Sequence, residues 1–174
     1  MSLRTTHVLA VVGAVVVFVS TAITWYTHDV SVAAQAGQVG YSSSKTYTLW
    51  DYTNLAPVLL VIAAALGAAL LLFAPSSSYR ATALVAGLCG LGIAAYCVVK
   101  CFDIPDLGPT GAVSLPLPGG AVSADASTTL AAGPFVGIVG GLLMAASAAG
   151  LAGEAPETAP AHQGSTSPSG RASA

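Results

Sequence analysis

The side chains that could carry out acid–base or metal chemistry are few in this chain and lie far apart. His28 and Asp29 are adjacent, whereas His7 and His162 lie near the two ends of the sequence. A metal site needs three or four converging ligands, and an adjacent pair does not supply them. The sequence also lacks a glycine-rich phosphate loop, a Gly-x-Ser-x-Gly turn and a His-Glu-x-x-His pair. We therefore expect no catalytic, cofactor-binding or metal-binding site, and we interpret His28 and Asp29 as a solvated pair.

The three cysteines lie within or just after one apolar segment. Cys89 is typical of a small apolar residue that packs between helices. Cys97 and Cys101 are separated by about one helical turn. A disulfide between them would require the helix to unwind, because disulfides demand specific Cβ directions. Packing residues and a disulfide therefore both stay open as interpretations of Cys97 and Cys101.

The medium around the chain follows from its composition. Of the 174 residues, 55% are hydrophobic and only 7% are charged, and the mean hydropathy is +0.78. Soluble domains carry about 25% charged residues, because their surface faces water. We therefore expect the bilayer to surround most of this chain. The net charge of −2 gives no attraction for a polyanion, which excludes nucleic acids as partners.

Four segments are long and apolar enough to cross a membrane, since a spanning helix needs roughly 20 apolar residues. They cover residues 8–26, 55–74, 81–99 and 130–152, and none contains Asp, Glu, Lys, Arg or His. The predicted fold is therefore an all-α membrane protein, a bundle of four transmembrane helices that forms one domain over residues 1–153. Spans without ionisable residues argue against a channel or pump that acts alone, because ion and proton pathways use such residues.

The segments between and after the spans are predicted to lie outside the bundle. Residues 27–54 and 100–129 form two long outer loops. Residues 46–52 are rich in Thr and aromatic side chains, and a Pro/Gly turn follows residues 111–115, so we expect either a small extracytoplasmic β-element or irregular loops. Residues 154–174 contain too few apolar side chains to form a core, which predicts a disordered cytoplasmic tail.

The basic residues set the expected orientation. Arg4, Arg80 and Arg171 fall on one side of the predicted bundle, whereas Lys45 and Lys100 share the other side with five aspartates. Cytoplasmic loops carry the excess of Lys and Arg. We therefore place the protein in the cytoplasmic (inner) membrane with both termini in the cytoplasm.

The N-terminal segment also has the three parts of a signal peptide. Arg4, an apolar run and the small residues at positions 20–22 follow that order. The apolar run continues beyond the small residues into Trp25, which favours a retained span over a cleaved peptide.

Aromatic residues cluster near the predicted outer membrane surface. Trp and Tyr prefer this depth because their rings are apolar and their N–H or O–H groups are not. We interpret the following residues as interfacial anchors: Trp25, Tyr26, Trp50, Tyr52 and Tyr96.

Small residues recur every four positions along the last span. Helices associate in a bilayer through close backbone approach along such strips, because lipid tails are as apolar as leucine side chains. The predicted packing residues are Gly133, Gly137, Gly141, Ala145 and Ala149 in the fourth span, together with Ala86, Gly90 and Ala94 in the third. Two interpretations stay open: packing within the bundle, and docking against another membrane protein.

The layout resembles that of small four-span membrane proteins of high-GC actinobacteria, such as the tryptophan-operon-associated family, whose function is not established. The shared features are a first span that ends in Trp25, a long outer loop, and a Gly/Ala-rich last span entered by Gly133 and Pro134. The layout is also similar to the claudin-like tetraspan fold, with Leu49 and Trp50 in the first outer loop. That loop contains no cysteines here, whereas the claudin pattern requires a pair, so the resemblance does not extend to a barrier-forming role.

These features favour a non-enzymatic role. We expect an accessory or stabilising subunit of a larger membrane complex, for example a lipid transporter or a respiratory assembly, that binds through small-residue helix faces and outer loops. The alternative is a self-contained carrier of lipids or small molecules that acts as a homo-oligomer. An enzyme at the outer surface that uses His28, Asp29 or the loop carboxylates is the least favoured hypothesis, because no spacing ties these residues together.

Overall fold

The computed structural model describes residues 3–34, 40–53, 55–73, 78–105, 107, 111–117 and 120–153. The elements, in chain order, are α1 (Leu3–Ala22), β1 (Thr24–Ala34), β2 (Tyr41–Thr48), α2 (Leu49–Tyr52), α3 (Leu55–Phe73), α4 (Tyr79–Phe102), β3 (Gly111–Leu117), β4 (Gly120–Leu130) and α5 (Gly133–Gly153). The predicted tail, residues 154–174, lies outside the described residues.

Four of these helices, α1, α3, α4 and α5, are long and apolar enough to cross a membrane. The prediction of four spans is therefore confirmed at the level of length and composition. The packing order around the bundle is α1, α3, α4, α5, since α5 packs most extensively on α4 and α1, and α3 completes the ring between them. The ends of the spans differ from the predicted ones, most of all at the first helix, which covers Leu3–Ala22 rather than residues 8–26.

Side-chain hydrogen bonds accompany the end of the first helix. The hydroxyls of Ser20 and Thr21 donate to the carbonyls of Val17 and Phe18 at 2.6 and 2.8 Å. The indole Nε1 of Trp25 donates to the Ser20 carbonyl at 2.6 Å. Helix termini need such partners when they are buried. Trp25 therefore belongs to β1, although the apolar run continues through it.

The main correction to the predicted all-α fold is a four-stranded antiparallel sheet with the strand order β2-β1-β4-β3. Residues 111–115 do form a strand, within β3. Residues 46–52, in contrast, divide between the end of β2 and the one-turn helix α2. Strands β1 and β4 were missed, and both are 11 residues long. The sheet adjoins the bundle where α1 leads into β1 and β4 leads into α5.

The core divides into two clusters along the bundle. The cluster nearer the sheet combines large side chains of the sheet base and α2 with the helices: Val17, Trp25, Tyr26, Leu49, Leu60, Ala64, Ile93, Cys97 and Met144. The other cluster consists mainly of alanines and leucines: Ala10, Leu71, Ala83, Ala86, Ala148 and Leu151. A buried hydrogen bond from the Ser147 hydroxyl to the Thr6 carbonyl, 2.6 Å long, links α5 to α1 in this second region.

Candidate functional site

The one adjacent pair with possible chemistry is separated by the sheet. His28 and Asp29 are consecutive residues of β1, and successive side chains of a strand point to opposite faces. His28 is buried, and its Nδ1 lies 2.9 Å from the Thr128 hydroxyl. Asp29 lines a small polar cleft on the other face together with Asp125. The two side chains therefore do not form a dyad.

The cysteines are free thiols in the described part of the chain. Cys97 is buried in the core cluster near the sheet. Its Sγ lies where a side chain at Gly137 would extend, 2.5 Å from the position of the missing Cβ. Cys97 is thus a packing residue against α5, and no bond joins it to Cys101 in this structure.

Most of the predicted small-residue strip lies inside the bundle. A Cβ added to Gly141 would lie 2.6 Å from the Gly90 carbonyl oxygen and 2.8 Å from the Ala94 nitrogen, both on α4. The reciprocal is true of Gly90, whose added Cβ would lie 2.6 Å from the Gly141 carbonyl oxygen. Gly133, Gly137, Gly141, Ala86, Gly90 and Ala94 are all buried. Gly133 packs on Trp25, and the other five residues pack between helices of the same chain, as the interpretation of packing within the bundle predicts.

The strip leaves the interior towards the end of α5. A repeat of four residues advances by about 40° per step on a helix of 3.6 residues per turn. Ala145 is accordingly half-buried and Ala149 is exposed. Both line a shallow groove between α4 and α5 with a volume of about 390 Å³. For these two residues a role in partner binding stays a prediction.

Two of the predicted interfacial anchors instead join the sheet to the bundle. Trp25 and Tyr26 are fully buried, so their side chains do not reach lipid headgroups. The Trp25 ring packs on Gly133 and lies 6.4 Å from the Tyr96 ring between centroids. The Tyr26 hydroxyl donates to the Lys100 carbonyl at 2.7 Å. The interfacial-anchor interpretation is therefore corrected for these two residues.

The remaining predicted anchors lie nearer the surface. Trp50 is 44% exposed, and its Nε1 donates to the Thr21 hydroxyl at 3.3 Å, which ties α2 to the end of α1. Tyr96 is half-buried. The side chain of Tyr52 lies outside the described residues.

The turn from β2 into α2 is fixed by a capping box. The backbone N–H and the hydroxyl of Thr48 both donate to Oδ2 of Asp51, at 2.6 and 2.8 Å. These two hydrogen bonds, the backbone one foremost, hold the pKa of Asp51 below its ordinary value. The capping box places Leu49 in the core and Trp50 beside α1.

The sheet has one apolar and one polar face. Residues that pair directly across antiparallel strands project from the same side. Val32 pairs with both Tyr41 and Ala124, and Ala124 pairs in turn with Val113. The apolar face defined by this register includes Val30, Val32, Tyr41, Val113, Val122, Ala124 and Ala126, with Ser43 beside Val30 and a polar row of Lys45, His28 and Thr128 nearer the bundle. The opposite face carries the apolar residues Ala33 and Ala112 and is otherwise polar, with Thr27, Asp29, Ser31, Ser42, Ser44, Thr46, Ser114, Ser123, Asp125, Ser127 and Thr129.

The helices do not cover most of the apolar face. Among the described elements, the sheet meets the helices mainly at its base, where α5 contacts β1 and α2 contacts β2. Tyr41 is 65% exposed and Val113 is 58% exposed, whereas the side chains of the central strands on this face are half-buried. A sheet normally buries its apolar face against a second layer. Exposed apolar patches of this kind mark interaction surfaces.

A second surface feature is a groove between α3 and α4, with a volume of about 430 Å³. Its polar atoms come from Thr53, Cys89 and Tyr96, and the other lining residues are Leu55, Ala56, Leu59, Leu60, Ala63, Leu88, Gly92 and Ile93. A Cβ added to Gly92 would meet no atom within 4 Å. We refer to this feature as the α3–α4 groove.

The sequence contained a signal for the sheet that the prediction did not use. Apolar and polar residues alternate strictly from Val122 to Ser127, and the same alternation runs from Asp29 to Val32. This period of two is typical of a strand with one apolar face. For the α3–α4 groove no such signal exists, since it depends on the packing of two helices.

No protein-family model and no curated protein sequence matches this chain. The resemblances to actinobacterial four-span proteins and to claudins therefore stay predictions.

Proposed function

We propose that this chain is a non-catalytic accessory subunit of a larger membrane complex and that it binds its partner through the apolar face of the sheet. The observation that carries the proposal is the continuous apolar surface across all four strands, with Tyr41 and Val113 largely exposed on the two edge strands. Leaving such a surface in water costs roughly 25 cal/mol for each Å² of apolar area. A partner that covers it recovers this free energy.

The partner surface has a defined character. The apolar face carries Lys45 at its β2 edge, in the same row as His28 and Thr128. Sheets pack face to face about 10 Å apart, or against an amphipathic helix, when both surfaces are apolar. We therefore expect the partner to present an apolar sheet or helix face outside the membrane, beside the spans of this protein.

The position of the small-residue strip limits the surfaces that a partner would contact. Most of the strip packs within the bundle, so the proposed partner does not need to cover it. The partner then needs to contact only the sheet and the outer surface of the spans.

The proposal places the protein in the cytoplasmic membrane with the sheet outside. The support is the same charge bias as in the sequence, with Arg4 and Arg80 at the end of the bundle away from the sheet. A Ser114→Cys variant is expected to react with a membrane-impermeant thiol reagent added to intact cells. Reaction only after the cells are opened would reverse the orientation.

The binding proposal is tested by purification from native membranes in mild detergent. The wild-type protein is expected to carry a stoichiometric partner, and Val113→Asp is expected to lower partner recovery about tenfold or more, since a buried unpaired charge costs well over 1.4 kcal/mol. The matched control is Ser114→Asp, the next residue of the same strand, which projects from the polar face. Recovery of the wild-type protein alone or only as a homo-oligomer, or equal loss of partner in both variants, would refute the proposal.

A further inference from the structure

We propose that the α3–α4 groove is a binding site for one acyl chain of a membrane phospholipid, with the ester and headgroup oxygens at the Tyr96 and Thr53 end. This site is independent of the apolar sheet face and of any protein partner. It lies between two helices that are long and apolar enough to cross a membrane, so the solvent that fills it is lipid rather than water.

The length of the groove corresponds to one leaflet. Its α3 wall begins at Leu55, the first residue of the helix, and extends to Ala63. Eight residues at about 1.5 Å each give a depth of about 12 Å. Half of a hydrocarbon core about 30 Å thick is about 15 Å. The groove thus runs from the end of the span nearly to the bilayer midplane, which is the path of one acyl chain.

The polarity of the lining follows the polarity of a phospholipid. Thr53 and Tyr96 lie at the end of the groove near the sheet, and the deeper walls are formed by aliphatic side chains, with Cys89 as the one thiol. The half-buried Tyr96 hydroxyl has no hydrogen-bond partner among the described residues, and it is free to donate to an ester or phosphate oxygen. An acyl chain in the opposite direction would place its polar end among leucines.

The groove is also wide enough for a chain at its floor. Leu59 and Leu88 are 54% and 61% exposed and form the two rims. Gly92 is exposed one turn along α4 from Leu88 and contributes no side chain, and a Cβ added to it would meet no atom within 4 Å beyond its own stretch of helix backbone. The volume of about 430 Å³ lies within the range of about 300–1,000 Å³ that is usual for small-molecule sites.

The experiment compares lipid retention in variants that fill the groove or leave it open. The full-length protein is reconstituted with palmitoyl-oleoyl-phosphatidylglycerol, extracted in mild detergent and examined by native mass spectrometry. The wild type is expected to retain one phospholipid. Gly92→Phe is expected to lose it, because the ring fills the groove without meeting other atoms first. Ala95→Phe, which adds the same ring on an exposed part of α4 outside the groove, is expected to retain it.

Two further variants make the outcome decisive. Gly92→Leu fills the groove with a smaller side chain and is expected to reduce retention if the phenylalanine variant does not fold. Tyr96→Phe is expected to weaken retention several-fold without closing the groove, because only the hydroxyl is lost. Equal retention in wild type and Gly92→Phe, no retention in wild type, or a wild-type dimer that Gly92→Phe dissociates would overturn the proposal. None of these results depends on whether the sheet binds a partner.

Discussion

The contact between α4 and α5 gives the sharpest test of the fold. The substitution is Gly141→Ala, which adds one methyl group where α5 crosses α4. That methyl would lie 2.6 Å from the Gly90 carbonyl oxygen and 2.8 Å from the Ala94 nitrogen. Both atoms belong to the backbone of a helix and cannot rotate away, so the two helices must separate until these distances reach ordinary contact.

The size of the effect follows from two opposing contributions. Alanine is favoured over glycine within a helix by about 1 kcal/mol. Overpacking of a tight interface costs typically about 1–3 kcal/mol. We expect the second to exceed the first, since separating the helices also removes close contacts at Gly90 and Ala94 and helices in a bilayer depend on such contacts. Gly141→Ala should therefore lower the free energy of unfolding by about 1–2 kcal/mol.

Other glycines of α4 provide matched controls. Gly92→Ala adds the same methyl into open space and should be neutral or stabilising by up to about 1 kcal/mol. Gly87→Ala places its Cβ 3.4 Å from the Ala148 Cβ, which is an ordinary contact. Its free energy of unfolding should lie between those of Gly141→Ala and Gly92→Ala. The measurement is equilibrium unfolding in mixed micelles with increasing SDS, followed by far-UV circular dichroism. If Gly141→Ala is as stable as Gly92→Ala, the close approach of α4 and α5 does not support the bundle and the reasoning is wrong.

Two other predictions concern the junction between sheet and bundle. Hydrogen bonds from Thr48 lower the pKa of Asp51 below 3.8, so the capping box should be intact above that pH and be lost only as the pH falls through the lower folded-state pKa. Hydrogen exchange of the Thr48 amide, corrected for its intrinsic rate, should therefore show constant protection from about pH 7 to about pH 4. A loss of protection already near pH 5 would contradict this. The second prediction uses a Trp50→Phe background, which leaves Trp25 as the one tryptophan. Gly133→Ala should displace the Trp25 indole from its buried position and shift its fluorescence to longer wavelength, because the added Cβ would overlap the ring. Unchanged emission would show that Gly133 is not needed for this packing.

The sequence was sufficient to predict the four long helices, because their length and apolar composition are properties of single segments. It was not sufficient to end the first helix correctly. The apolar run extends through Trp25, and only the contact of that residue with Gly133, far away in the chain, shows that it packs beneath α5. The same limit applies to Tyr26, whose partner is a carbonyl of α4. A composition argument assigns both residues to a membrane surface, whereas tertiary contacts bury them.

The small-residue strip shows how far a pattern can be used. The repeat predicted close helix packing, and the distances at Gly90 and Gly141 agree with that. The pattern did not say which helix is the neighbour. A period of four also suggests a single continuous face, whereas the helical period of 3.6 residues moves Ala149 out of the interface. Periodicity therefore predicts contact over two or three turns, and the structure is needed beyond that.

The position of the small residues decides which surfaces of this protein pack internally and which stay uncovered. Close packing of α5 against α1 and α4 consumes the surfaces that membrane helices otherwise use to recognise other helices. Among the described residues, the surfaces that remain without a covering layer include the apolar face of the sheet, which lies outside the spans, and the α3–α4 groove, which lies beside them. We propose that the first surface binds a protein partner and the second an acyl chain, because the sheet lies outside the spans and the groove lies between two of them. If both proposals hold, Val113→Asp is expected to lower partner recovery without changing lipid retention, and Gly92→Phe is expected to do the reverse.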